Sequence, residues 1–140
     1  MGERFSVCIG VRSYEVDSNG HVNHANYHRY GEHARSSHLA AAGCGLHRLV
    51  ESGLGLVLLE TSVRFLRELR DGDQVEIDSR LEFGAGKTFG MAHTIVRRDG
   101  VVAAEITCRM GLIDSTARRL VADPRERLRE LATDPAVLGL

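Results

Sequence analysis

Apolar and polar residues alternate through the second half of this chain, and few folds accommodate so long an alternation. In 74–83, Val75, Ile77, Leu81 and Phe83 alternate with Gln74, Glu76, Asp78, Arg80 and Glu82, and only Ser79 breaks the pattern. Phe89, Met91, His93 and Ile95 repeat it in 88–98, and Val102, Ala104, Ile106, Cys108, Met110 and Leu112 in 101–113. In 56–69 the odd positions Val57, Leu59, Thr61, Val63 and Phe65 are mostly apolar. Side chains of a strand point alternately to opposite faces, so each stretch reads as a strand with one buried face. Asp71-Gly72-Asp73, Gly84-Ala85-Gly86 and Asp99-Gly100 separate them, the last being a two-residue hairpin signal that needs positive φ. Four strands joined by short turns predict an antiparallel meander.

Ahead of these strands, Phe5, Val7, Ile9 and Val11 mark a first strand over 4–12. From His24 to about Ala42 there is no proline, and Gly31 is the only interior glycine, so the spacing predicts one long helix. Asn23 suits its N-cap, and Gly43 and Gly45 end it. Tyr27, Tyr30, Ala34, Ser37 and Ala41 share one face of small and aromatic residues. Asp123-Pro124 starts a short C-terminal helix. One apolar sheet face and one long helix imply an α+β architecture: a five-stranded antiparallel sheet wrapped around a central helix. A length of 140 residues suits one domain over 1–140, large enough for a core without staples.

Composition removes several functions. With 18 basic and 19 acidic side chains the net charge is -1, without the basic excess a broad nucleic-acid binder needs. No apolar run approaches the ~20 residues of a membrane helix. The opening MGERFSVCIG has no basic stretch followed by a long apolar one, so a cytoplasmic chain without secretory leader is expected. Cys8, Cys44 and Cys108 form no CxxC pair, which argues against a disulfide scaffold or a zinc ribbon.

Six of the seven histidines fall between His21 and His47. His24 and His28 stand one helical turn apart, a metal-ligand spacing that Asp17 could complete. His33 lies on the opposite side of the helix, however, and no H-E-x-x-H pattern exists, so no metal is expected. His28, His33 and His38 fall off the small-residue face and read as solvated or interface side chains. His93 shares its strand face with Phe89, Met91 and Ile95, as a core residue or as pocket lining.

The stretch from Tyr14 to Tyr27, YEVDSNGHVNHANY, joins a loop carboxylate to a helix N-terminus. Free N–H groups and partial positive charge there can stabilise an oxyanion, and a carboxylate beside it can attack or activate water. The same residues also make an Asx-type turn at Asp17 and a cap at Asn23.

Asp17-x-x-Gly20-x-Val22-x-His24-Ala25-x-Tyr27, between a first strand and a long helix, resembles the signature of hotdog-fold thioesterases. The similar branch is the 4-hydroxybenzoyl-CoA thioesterase family, including the acyl-CoA thioesterases associated with the Tol-Pal system. Gly20-His21-Val22-Asn23-His24 is also similar to a stretch of plant acyl-carrier-protein thioesterases. The resemblance implies a thioester hydrolase with Asp17 as nucleophile or general base. It places the His24 amide on the thioester carbonyl, with the His24 ring assisting in some relatives. Tyr14, Asn23, Tyr27 and His93 are candidate pocket residues; the spacing of Tyr14 departs from the tyrosine some relatives place before the aspartate. Arg64, Arg67, Lys87, Arg97 and Arg98 are candidates for coenzyme A phosphates. Coenzyme A would be part of the substrate, with no separate cofactor. Substrate would be acyl-CoA or acyl-carrier-protein, and the assembly a homodimer or homotetramer. Two other roles of this fold are a non-hydrolytic acyl-thioester binding module and a dehydratase or hydratase.

Overall fold

The structure is a computed structural model and describes residues 4–140. Residues 1–3, the start of the segment read above for a leader, lie outside the described residues. Strand β1 (Phe5–Gly10) leads through a 3-10 turn over Ser13–Glu15 to helix α1 (His24–Ala41) and a short helix α2 (Leu46–Glu51). Strands β2 (Leu54–Phe65), β3 (Gln74–Phe83), β4 (Thr88–Arg97) and β5 (Val102–Asp114) follow. A two-residue β6 (Arg119–Leu120) and helix α3 (Pro124–Leu131) end the chain with a 3-10 turn over Pro135–Leu138.

The predicted strands and long helix are all present, but the strands do not form one meander. The sheet order is β1-β3-β4-β5-β2, with β6 beside β5, and all pairings are antiparallel. Only β3–β4–β5 is a meander. Residues 66–73 carry the chain from β2 at one edge to β3 beside β1, anchored by Leu69, which is fully buried. The β4–β5 turn is also one residue longer than predicted: the Arg97 N–H donates to Val101 O at 2.8 Å, with Gly100 at φ +88.

Strand β2 holds a second departure from simple alternation. Its register against β5 shifts by one between Leu58 and Glu60. Such a bulge turns the strand's phase over. Beyond it, Phe65 packs against Tyr27 of α1, ring centroids 5.0 Å apart. Before it, Leu56 and Leu58 line a cleft with Leu39 and Leu49, whereas Val57 and Leu59 flank Gly111 with Leu120. Val57 and Leu59 therefore do not share the face of Thr61, Val63 and Phe65.

Helix α1 packs against β1, β3, β4 and β5. Its N-cap is Asn23, whose side chain accepts from the Ala25 N–H at 3.0 Å. Tyr27, Tyr30, Gly31, Ala34, Arg35, His38 and Leu39 are buried, while Ala41 is exposed. His38 is thus a core residue and not a solvated one. Its Nε2–H donates to Val137 O at 2.6 Å, its Nδ1 accepts from the Ser79 hydroxyl at 2.9 Å, and Phe5 stacks on its ring. His28 and His33 are exposed.

Gly43 stops α1 at φ +83. A Cβ there would clash with Thr133 Oγ1 and meet the Thr133 backbone N at 3.0 Å. Left-handed backbone alone costs an L-residue about 1–2 kcal/mol. Gly43→Ala is therefore expected to destabilise by at least about 2 kcal/mol, measured by urea unfolding.

Candidate active site

Glu15 and Asn23 bring the two ends of the Asp17 loop together: the Asn23 N–H donates to Glu15 O at 2.9 Å, and Val16 bridges to Val22. Inside, the Asp17 N–H donates to His21 O at 2.9 Å, and the Gly20 N–H donates to Asp17 O at 3.0 Å. Gly20 takes φ +79, which few side chains tolerate. Asp17 Oδ1 accepts the Asn19 N–H at 2.9 Å, so the Asx turn is real. Asp17 Oδ2 has no partner among the described residues and the side chain is exposed, so one oxygen stays free for chemistry.

Immediately beyond the loop, His24 is the first residue of α1. Asn23 occupies the Ala25 N–H, and the Asn26 N–H donates to Asn23 O at 3.0 Å. The His24 N–H has no partner among the described residues, so the donor at the positive end of the helix is available.

A cleft of about 390 Å³ opens here, lined by His21, Val22, His24, Tyr27, Phe65, Leu66, Arg67, Glu68 and Arg97. Its apolar floor comes from Tyr27 and Phe65, and burial pushes the Tyr27 hydroxyl pKa up. Its rim carries two guanidiniums. Arg67 Nη1 donates to Leu66 O at 2.7 Å, and Arg97 pairs with Asp99 at 2.9 Å. Glu68 is the opposing carboxylate. The Arg70 hydrogen bond, at 2.6 Å, holds its pKa below the usual range, and His21 lies 3.6 Å away.

Of the residues expected from sequence, His24, Tyr27, Arg67 and Arg97 line this cleft, with Asp17 and Asn23 in the adjoining loop and cap. Tyr14 is 77% exposed and outside it. Arg64 and Lys87 are exposed and outside it, and Arg98 sits with Arg97 in a separate cleft of about 470 Å³ over β3 and β4. Phe65, the last apolar residue of the β2 alternation, is an aromatic that the sequence also offers as pocket lining, and it lines the cleft. His21, Val22, Leu66 and Glu68 line it without having been expected from sequence. Among the described residues no group of acidic, histidine and cysteine side chains is disposed to hold a metal ion. No helix of the described residues is long and apolar enough to cross a membrane.

His93 lies away from the cleft, 1% exposed, facing α1 at Gly31. Its Nδ1–H donates to Asp78 O at 3.1 Å, and Nε2 has no partner among the described residues. Burial pushes its pKa from 6.5 down to about 4. Below pH 6.5 the unfolded chain therefore takes up a proton that folded His93 refuses until about pH 4. Stability is undiminished above that window and falls on acidification through it, by about 3 kcal/mol. His38, also lowered by burial, acts in the same direction. Urea unfolding across this range should show the slope, and His93→Gln should flatten it.

The chain matches the family model described as the thioesterase-like superfamily over residues 11–131. It is 31% identical over 121 residues to a protein of Aquifex aeolicus (strain VF5) named "Putative esterase", covering 86% of this chain and 92% of that protein. It is 36% identical over 81 residues to the chloroplastic acyl-acyl carrier protein thioesterase ATL3 of Arabidopsis thaliana, 58% of this chain. That match spans only 43% of the plant protein. Protein SAV2348 of Staphylococcus aureus, solved in complex with CoA, superposes with a TM-score of 0.84 at 24% identity. The superposition covers 94% of this chain and 82% of that one. The sheet wrapped on α1 is the hotdog architecture, and the chain belongs to the thioesterase-like superfamily.

Proposed function

We propose that this protein hydrolyses acyl thioesters of coenzyme A or of acyl carrier protein. The observation that carries the reading is that one hydrogen-bonded loop and the helix end it leads into hold both a free Asp17 carboxylate oxygen and an unpartnered His24 N–H. Thioester hydrolysis needs both: a group that attacks or activates water, and a donor for the developing oxyanion. Asp17 either deprotonates the attacking water or attacks the carbonyl itself, in which case loss of the thiolate leaves a mixed anhydride on Asp17 that water then hydrolyses to the free acid. The His24 N–H donates to the developing oxyanion, and the thiolate leaves as the carbonyl re-forms. The cleft beside them suits a phosphopantetheine thioester, with Tyr27 and Phe65 along the apolar part and Arg67 and Arg97 toward phosphate.

The second copy of a homodimer would pair along β2. This 12-residue strand is an edge of the sheet, and it exposes Leu58, Leu59 and Phe65 at 46%, 48% and 55%. An exposed apolar edge of that length is a template for pairing.

Thiol release from a panel of aromatic, short and long acyl-CoAs, and from the same acyl groups on acyl carrier protein, tests the reading. Hydrolysis of at least one supports it. Binding of all without release from any would make the protein a thioester-binding module. Arg67→Ala should raise KM for the best acyl-CoA about two- to fivefold, the size of one exposed charge contact, with kcat unchanged.

A further inference from the structure

We propose that Glu15 and Tyr30 are positioning residues for Asp17, their buried hydrogen bond tying the chain just ahead of it to α1. This rests on the assignment of Asp17 above and extends it to two side chains that touch no substrate. Glu15 ends the Ser13–Glu15 turn, two residues before Asp17, and is 6% exposed. A buried carboxylate persists only where hydrogen bonds replace its hydration. Glu15 Oε1 accepts the Tyr30 hydroxyl at 2.9 Å and the Arg12 N–H at 2.8 Å. Tyr30 itself is 3% exposed, and burial together with the Glu15 carboxylate pushes its pKa up, so it stays a donor.

The main chain of Glu15 holds the far end of the same loop. Its carbonyl accepts the Asn23 N–H at 2.9 Å and Asn26 Nδ2–H at 3.1 Å. One residue thus fixes the entry of the loop through its side chain and the exit through its backbone. Asp17 lies between, and no other side chain hydrogen-bonds its carboxylate among the described residues. Its placement is therefore set by the backbone that Glu15 and Tyr30 hold. Misplacing a reacting group by ~1 Å can cost about 10²-fold in rate.

The test compares kcat, KM and melting temperature for Tyr30→Phe, Glu15→Ala and Glu15→Gln, and repeats Tyr30→Phe in an Asp17→Asn background. Tyr30→Phe keeps the buried ring, and Glu15→Gln keeps an acceptor oxygen, so both retain most of the packing. Tyr30→Phe and Glu15→Ala are expected to lower kcat about 10-fold or more, with KM within about twofold. Glu15→Gln should recover most of the rate. In the Asp17→Asn background, Tyr30→Phe should change the residual rate less than about twofold, because its effect passes through Asp17. A folded Tyr30→Phe enzyme with full kcat overturns the inference alone, as does an equal loss in both backgrounds. Wild-type turnover by Asp17→Asn overturns the assignment of Asp17 and the inference with it.

Discussion

His24→Pro is expected to lower kcat for thioester hydrolysis by about 10²–10³-fold while the protein still folds, the range for loss of one oxyanion donor. Proline is suited to the first position of a helix, where the missing N–H has no intrahelical acceptor. The residue before a proline must be extended, and Asn23 already is, at φ -61 and ψ 138. The substitution therefore deletes the donor without breaking a hydrogen bond of α1. It also deletes the imidazole, so His24→Ala is the control. Alanine keeps the N–H, and only a modest loss is expected from it. A large loss in both variants would move the role from the backbone to the ring. Circular dichroism should show the helix unchanged in each.

Much of the fold was legible because local periodicity carries it. The β4 face of Phe89, Met91, His93 and Ile95 is buried throughout, as the alternation requires. Asn23 caps α1, and Asp123 caps α3 by accepting the Glu126 N–H at 3.2 Å. What escaped depends on residues far apart in the chain. The passage of β2 to the far edge leaves no local mark, since turns look alike whichever strand they feed. The bulge at Leu59 shifts phase by one residue, which a period-two pattern averages away. His38 is buried because Ser79 and Val137 satisfy its ring from 41 and 99 residues away. A 3.6-residue period admits position 37 or 38 on the buried face almost equally, and the small size of Ser37 favoured it over His38. Gly45, read from sequence with Gly43 as the end of α1, is instead the N-cap of the short helix α2.

The candidate site divides the same way. Asp17, Asn23 and His24 are contiguous, and their turn and cap chemistry is written in residue types. Phe65 comes to the cleft from β2, Arg97 from β4 and Arg67 from the 66–73 crossover, which is tied to the loop where the Val22 N–H donates to Leu69 O at 2.7 Å. The Glu15–Tyr30 contact joins residues 15 apart through a helix and a turn, which no spacing rule connects.

Asp17→Asn carries the other large expectation. The two side chains have the same shape, and the amide oxygen can still accept the Asn19 N–H that closes the turn. The loop should keep its form, and the Val16–Val22 bridge with it. An amide neither attacks a thioester nor takes a proton from water, so the loss should appear in kcat. At least about 10²-fold is expected, the lower end for a positioned acid or base. Thioester affinity should change little, because asparagine keeps the size of aspartate and an oxygen that can accept the Asn19 N–H. The decisive measurement is thiol release by wild type and Asp17→Asn on the best thioester of the panel, with substrate affinity measured in parallel by calorimetry. Turnover lower by at least about 10²-fold at matched affinity is the predicted result; wild-type turnover from the folded Asp17→Asn protein would contradict the assignment.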